Sequence, residues 1–183
     1  MNKAIWNKCV EFHGHECPGL TIGYRASLYA IELLELKMED KEIPIYLSDD
    51  EQLVCISEND ACGIDAIQVI MGCSVGKGNM LFHMRGKSAY SFYDRNTGRS
   101  IRLVLKPAEN LSRDESFDYY QTCPFEDMFE VKETTLKLPE ETRIFRSINC
   151  SSCGEKTSEN FIRLQGDERL CLDCYTKYDR FSI

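Results

Sequence analysis

Long apolar runs are missing from this chain. The longest uncharged stretch, Ala66 to Gly76, is far too short to cross a bilayer, which excludes a membrane span. Positive charge is also in deficit: 22 lysines and arginines face 30 aspartates and glutamates, for a net charge of −8. That balance excludes a general affinity for nucleic acid or an anionic membrane surface. Internal repeats and low-complexity tracts are absent, which sets aside repeat architectures. The N-terminal residues Met1 to Ala4 lead into an amphipathic segment with no secretory apolar region, so a cytoplasmic protein is expected. Two further motifs fail on inspection. Gly72-x3-Gly76-Lys77 is one residue short of a nucleotide loop, and Gly78 stands where a magnesium-binding hydroxyl would be needed. No close run of four cysteines provides for a ferredoxin-like cluster.

Cysteine is the residue in surplus, with ten in 183 residues. In a reducing compartment these are metal ligands or structural thiols rather than disulfides. A hydrophobic share of 43% is ordinary for a soluble globular chain, and the length allows one moderate domain with a small appendage. Two of the three histidines and a cysteine crowd into Phe12-His13-Gly14-His15-Glu16-Cys17-Pro18-Gly19. Imidazole and thiolate are the side chains that zinc and other borderline metals prefer. The glycines mark a tight turn, and Pro18 suits the first position of a helix, so His13, His15 and Cys17 are expected at a helix start that favours a thiolate or anion. A turn with an incidental buried thiol is the plainer alternative.

The pattern predicts helices over Ala4–Phe12 and Pro18–Lys37, the second with Leu20, Tyr24, Leu28, Ile31 and Leu34 at helical spacing. An acidic, turn-like stretch follows from Glu39 to Glu51. Leu53–Ser57 reads as a buried strand. Asn59 or Asp60 then caps a helix carrying Cys62 and Asp65, which Gly72 ends. Met80–Met84, Lys87–Asp94 and Ser100–Lys106 read as three strands joined by hairpin residues at Arg85-Gly86 and Arg95–Gly98, forming an antiparallel meander. Weaker helical signals run over Glu109–Tyr120 and Phe125–Lys132. Strands in the middle with helices on either side imply an α+β fold rather than alternating βαβ units. Cys17, Cys62 and Cys73 each stand at a predicted helix end, and the three could converge on one cleft. Cys55, by contrast, reads as a small core residue. Gly76–Asn79 carries either an amide nest for an anion, with Lys77 as point charge, or a plain turn.

The last part of the chain is a separate object. Cys150-x2-Cys153 and Cys171-x2-Cys174 stand 17 residues apart, the spacing of a four-thiolate zinc site. A hairpin around Gln165–Asp167 and a helix through Tyr175, Tyr178 and Phe181 would complete a treble-clef-like finger. The expected division is therefore a core domain over 1–146 and a zinc finger over 147–183. From Ser147 onward, five basic residues face six acidic ones, which suits docking or dimerisation better than DNA binding.

Three blocks together resemble the FmdE family of formylmethanofuran dehydrogenase. They are Phe12 to Leu20 with Gly23 and Arg25; Glu58-Asn59-Asp60-x-Cys62 with Asp65 to Gln68; and Gly72-Cys73-x2-Gly76-Lys77-Gly78-Asn79 with Arg95, Gly98 and Arg102. The resemblance runs from about residue 5 to 106. It implies an α+β core, commonly a homodimer, with the matched residues around a metal-holding cleft. It also implies a link to the molybdenum or tungsten enzyme that makes formylmethanofuran from carbon dioxide. On this reading His15, Cys17 and Cys62 ligate a second transition metal, zinc or nickel among the borderline ions, with His13 as alternative ligand or proton shuttle. Asp65 would orient a ligand, and Cys73 would be a further ligand or reactive thiol. Arg25 of the first block, with Lys77 and Asn79 of the third, would meet the charge of a small anionic or pterin-like substrate. Two functions are consistent with these residues. One is a metal-dependent or redox enzyme subunit; the other is a non-catalytic accessory or metal-handling protein that docks through its finger. A metal-free thiol enzyme is a further reading, and it would need Cys17 close to Cys62 or Cys73.

Overall fold

Asn2 begins the first helix, α1 (Lys3–His13), by accepting the Ala4 and Ile5 N–H groups on its side chain. Gly14, at φ 91°, ends it in a left-handed turn that a β-carbon would disfavour. The chain then reverses within three residues into α2 (Pro18–Leu34), with Pro18 at its first turn and Cys17 as its cap. The computed structural model describes residues 1–37, 48, 50–108 and 111–180. The expected turn-like stretch from Glu39 lies largely outside the described residues, as do the expected helix start at Glu109 and Phe181.

The chain divides into two compact units, 1–140 and 141–183. The first is built on β1 (Leu53–Ser57), α3 (Gly63–Met71), β2 (Met80–Phe82), β3 (Ala89–Asp94), β4 (Ser100–Leu105), α4 (Arg113–Thr122), α5 (Phe125–Met128) and β5 (Phe129–Lys132). The strands form one sheet in the order β2-β1-β3-β4-β5. The fold is α+β, with antiparallel pairs β1/β3, β3/β4 and β4/β5 and helices covering one face.

Three local expectations are corrected. First, β2 does not pair with β3 through a hairpin at Arg85-Gly86; it runs parallel to β1, with Cys55 opposite Met80. The helix α3 is the crossover that a parallel pair requires, so one βαβ unit sits inside the antiparallel sheet. Second, the cap of α3 is Cys62 rather than Asn59 or Asp60; Asn59 bonds the Ala61 N–H one turn earlier. Third, helix gives way to strand at Phe129, because β5 hydrogen-bonds along β4 with Phe129 opposite Leu105. Tertiary pairing overrides a weak local helical preference there.

Alternation along the strands sets the core. Leu53, Cys55, Tyr90, Phe92 and Leu103 face α1, α2 and α3, where Ile5, Trp6, Leu20, Tyr24, Ile67 and Ile70 are buried against them. Burying each large side chain here contributes about 1.5–3 kcal/mol. Trp6 meets Tyr24 edge-on at 5.5 Å between ring centroids. On the opposite face Val54, Ile56 and Tyr93 pack with Leu81, Leu136 and Leu138, and the Tyr93 hydroxyl donates to the Leu136 carbonyl at 2.8 Å.

The second unit consists of two small hairpins, β6 (Ser147–Asn149) with β7 (Lys156–Ser158) and β8 (Arg163–Gln165) with β9 (Glu168–Leu170). The expected helix through Tyr175 and Tyr178 is absent from the described residues, where 175–180 carry no regular element. The Thr176 N–H bonds the Gln165 side chain instead, and Tyr178 stays exposed, so no apolar face rewards a short helix.

Candidate metal centre

The N-terminus of α2 and the entry to α3 meet because two glycines let their backbones touch. A β-carbon on Gly23 would lie 1.9 Å from the Gly63 carbonyl oxygen, and one on Gly19 would lie 3.1 Å from the Cys62 β-carbon. This contact places Cys62 beside Cys17. The Trp6 indole N–H donates to Glu16 at 2.9 Å and holds the turn that carries both histidines. At this junction one donor atom each from His13, Cys17 and Cys62 lies within 4.8 Å of the other two.

The contacts of His13 assign its ring. Nδ1 lies 2.7 Å from Asp65 Oδ2, and Nε2 lies 3.8 Å from Cys17 Sγ. With Nδ1–H donated to the carboxylate, the Nε2 lone pair faces the thiols; a carboxylate behind a ligating histidine fixes its orientation in this way. Asp65 is held in turn by Gln68 at 3.3 Å. The Leu20 N–H donates to Cys17 Sγ at 3.3 Å. Burial, reinforced by the Cys17 thiol and the Asp65 carboxylate, pushes the Cys62 thiol up. Two thiols and an imidazole suit a borderline metal, and tetrahedral ligands about 2–2.3 Å from an ion sit roughly 3.5–4 Å apart. The donor set therefore fits.

Beside the triad lies a cleft of about 400 Å³ lined by His13, Asp60, Cys62, Asp65, Val75 and Phe82, among others. His15 is exposed next to His13, with 4.5 Å between ring centroids, and is outside the triad. Cys73 does not join Cys17 and Cys62. It is fully buried, its thiol directed at the Leu53 carbonyl, and burial raises it to about 12. Cys55 is likewise pushed up by burial. These two are core thiols, inert while protonated.

Arg25, Lys77 and Asn79 are also away from the cleft. Arg25 donates to the backbone carbonyls of Gln121 and Cys123 and lies 4.2 Å over the Phe125 ring. Lys77 donates to the Ser48 carbonyl at 2.6 Å. The Asn79 amide, fully buried, bonds the carbonyls of Asp50 and Leu53 and accepts from the Ser74 N–H. Sequence reasoning gave no role to Asp60, Val75 or Phe82 in the lining, nor to the buried bidentate pair of Arg102 with Glu58 at 2.6 and 3.0 Å. Arginine and glutamate in separate matched blocks were the available signal for that pair.

In the second unit, Cys150, Cys153, Cys171 and Cys174 have their sulfurs within 4.8 Å of one another. Cys153 and Cys171 Sγ are 3.9 Å apart. Backbone N–H groups of Cys171 and Cys153 draw the Cys150 thiol down to about 6, whereas, against a lowering bond from the Glu155 backbone, the crowded neighbouring thiols push Cys153 up to about 12.

Residues 12–148 match the family described as FmdE, molybdenum formylmethanofuran dehydrogenase operon. The chain belongs to the FmdE family. Residues 143–180 match the prokaryotic dksA/traR C4-type zinc finger, so the FmdE-family chain carries a zinc finger whose four thiols fit a structural zinc ion. Among solved structures it is similar to that of a tungsten formylmethanofuran dehydrogenase FmdE-like protein from Syntrophus aciditrophicus. The TM-score is 0.63 at 25% identity, over 92% of this chain and 88% of that one. A probable S-adenosyl-L-methionine-binding protein of Archaeoglobus fulgidus is 26% identical over 198 aligned positions, covering 92% of this chain and 51% of that protein. The chain thus spans about half the length of that curated relative. Among the described residues, no helix is long and apolar enough to cross a membrane.

Proposed function

We propose that this FmdE-family chain is a metal-dependent module whose His13, Cys17 and Cys62 hold a transition metal with one coordination position turned toward the cleft. The observation that carries the reading is the count of donors. Among the described residues three converge beside the cleft, against four in the finger, and a three-ligand site with an adjoining pocket is the arrangement of reactive rather than structural zinc. Zinc and nickel both suit the donors. Such an ion would supply Lewis acidity to a bound group. The protein's own share is divided among named residues. Cys17 and Cys62 bring negative charge, His13 brings a directed lone pair, and Asp65 holds the His13 ring and its Nδ1 proton in place. His15 lies exposed beside the His13 ring and outside the ligand set.

The alternative, a non-catalytic metal-handling protein, predicts a closed or freely exchanging site; the buried Cys17 beside an open cleft favours a resident ion. Assembly as a homodimer, docking to a molybdenum or tungsten enzyme through the finger, and a reducing, cytoplasmic location are part of the same proposal. The docking is supported by the family's operon name, and the reducing location by thiolate sites that oxidation would destroy. Elemental analysis of the full chain and of a Cys17→Ser, Cys62→Ser variant tests the site. Two metals per chain falling to one in a folded variant is the expected result. Equal metal content in both proteins refutes the core site.

A further inference from the structure

The cleft beside the triad has a chemical bias that departs from the anionic substrate expected from sequence. Its charged lining residues are Asp60 and Asp65, and among the described residues no lysine or arginine lines it. The cations that could have met an anion, Arg25 and Lys77, are committed to backbone carbonyls elsewhere. A divalent ion at the triad would be balanced by the two thiolates, so the carboxylates leave the cleft negative even when it is loaded. That field adds to the overall charge of −8 and repels phosphates and carboxylates.

The two carboxylates differ in availability. Asp65 is engaged by His13 and Gln68. Asp60 is exposed and makes no hydrogen bond or ion pair among the described residues, so its acceptor oxygens are open to a ligand. The same cleft is also lined by Ile64, Val75 and Phe82, the last two substantially exposed. A carboxylate and an aromatic ring lining one cleft each attract a cation, the first by direct charge and the second by its ring quadrupole. Apolar side chains at a cleft wall are where a flat organic body loses water most favourably.

We propose that this cleft takes an organic cation, an amine or guanidine head on a flat apolar body, with the head at Asp60 and the body on Phe82 and Val75. The proposal rests on the metal-centre reading only for its setting, because the charge selection comes from Asp60 and from a lining without lysine or arginine among the described residues. It places the positive head near the triad and excludes phosphorylated compounds as occupants.

The test uses three probes of one shape and different charge: benzylamine, benzyl alcohol and benzoate. Each is titrated calorimetrically into the full chain as purified and after metal removal, with metal content measured alongside. The expected order is benzylamine tighter than benzyl alcohol, and benzoate weakest, with benzylamine at least tenfold ahead of benzoate at low salt. Asp60→Asn should weaken benzylamine about three- to tenfold and leave benzyl alcohol unchanged. Phe82→Ala, an exposed position whose change should not disturb folding, should weaken all three. Benzoate binding as tightly as benzylamine, or benzylamine binding that ignores both substitutions, overturns the proposal. If no core metal is found but the charge order and its Asp60 dependence hold, the metal reading fails and this inference stands. Metal found without the charge order overturns this inference and leaves the metal reading in place.

Discussion

Gly23→Ala opposes two effects of known size. Alanine in place of glycine inside a helix ordinarily stabilises by about 1 kcal/mol. Here the added β-carbon would sit 1.9 Å from the Gly63 carbonyl oxygen and 2.5 Å from its carbonyl carbon and α-carbon. All three are backbone atoms at the start of α3, so no side chain can swing aside. Restoring ordinary contact requires α2 and α3 to part by roughly 1.5 Å, and overpacking of this kind costs about 3 kcal/mol at the upper end of the usual range. The net loss is about 2 kcal/mol, a fall in Tm of about 4–8 °C for a chain of this size. Because the same contact sets the spacing of Cys17 and Cys62, the variant should also lose core metal to a chelator at least tenfold faster. Thermal melting and timed chelator challenge of wild type, Gly23→Ala and the control Gly76→Ala measure both effects. A β-carbon at Gly76 meets nothing within 4 Å, so the control should melt within about 2 °C of wild type. If Gly23→Ala melts at or above wild type, the close approach of the two helices is wrong. A lower Tm with unchanged metal release would detach the glycine contact from the thiol geometry.

Removing the carboxylate behind His13 by Asp65→Asn should lower core metal affinity about 10–100-fold while finger zinc stays, as read by competition with a chromophoric chelator. Arg102→Ala strands Glu58 in a buried position and should cost about 3–5 kcal/mol in a denaturant titration. Hydrogen bonding from Arg102 holds the Glu58 carboxyl below its usual range despite burial, so the folded value lies under the unfolded one near 4.3. Its contribution is therefore complete above that pH and is lost as pH falls through the folded value; Glu58→Gln should flatten this part of the acid limb, and an unchanged limb would count against the pairing. Cys153→Ser should release one zinc and expose 141–183 to proteolysis while the near-ultraviolet spectrum of the core persists; collapse of the whole protein would contradict the two-unit division.

Elements defined by short-range pattern were readable in advance. The run Leu53–Ser57, the Pro18 helix start and the Gly72 stop all depend on neighbours a few residues away, and each is found where the pattern placed it. The position of β2 was not readable, because a three-residue strand carries no mark of whether its partner is antiparallel β3 or parallel β1. Phe125–Lys132 misled for the same reason: its ladder to β4 is a long-range fact. At the site, His13 and His15 flank one glycine and look equivalent as sequence. Asp65 on α3 distinguishes them by binding only the His13 ring. Arg25, Lys77 and Asn79 read as ligand-facing because their charges and amides are conspicuous. Their partners are backbone carbonyls, which every residue possesses and no sequence pattern advertises.

The inventory of this protein is written along its chain: an acidic composition, four thiols at zinc-finger spacing, a His/Cys cluster before a helix, and the blocks of the FmdE family. Such properties are local, because ligand spacing within a knuckle and capping at a helix end span only a few residues. Which donors meet is a matter of the folded molecule. Cys62 reaches Cys17 because Gly23 and Gly63 let two helices touch, while Cys73 turns into the core and the cations turn to carbonyls. Convergence between distant segments depends on packing, and packing is settled by the whole molecule at once.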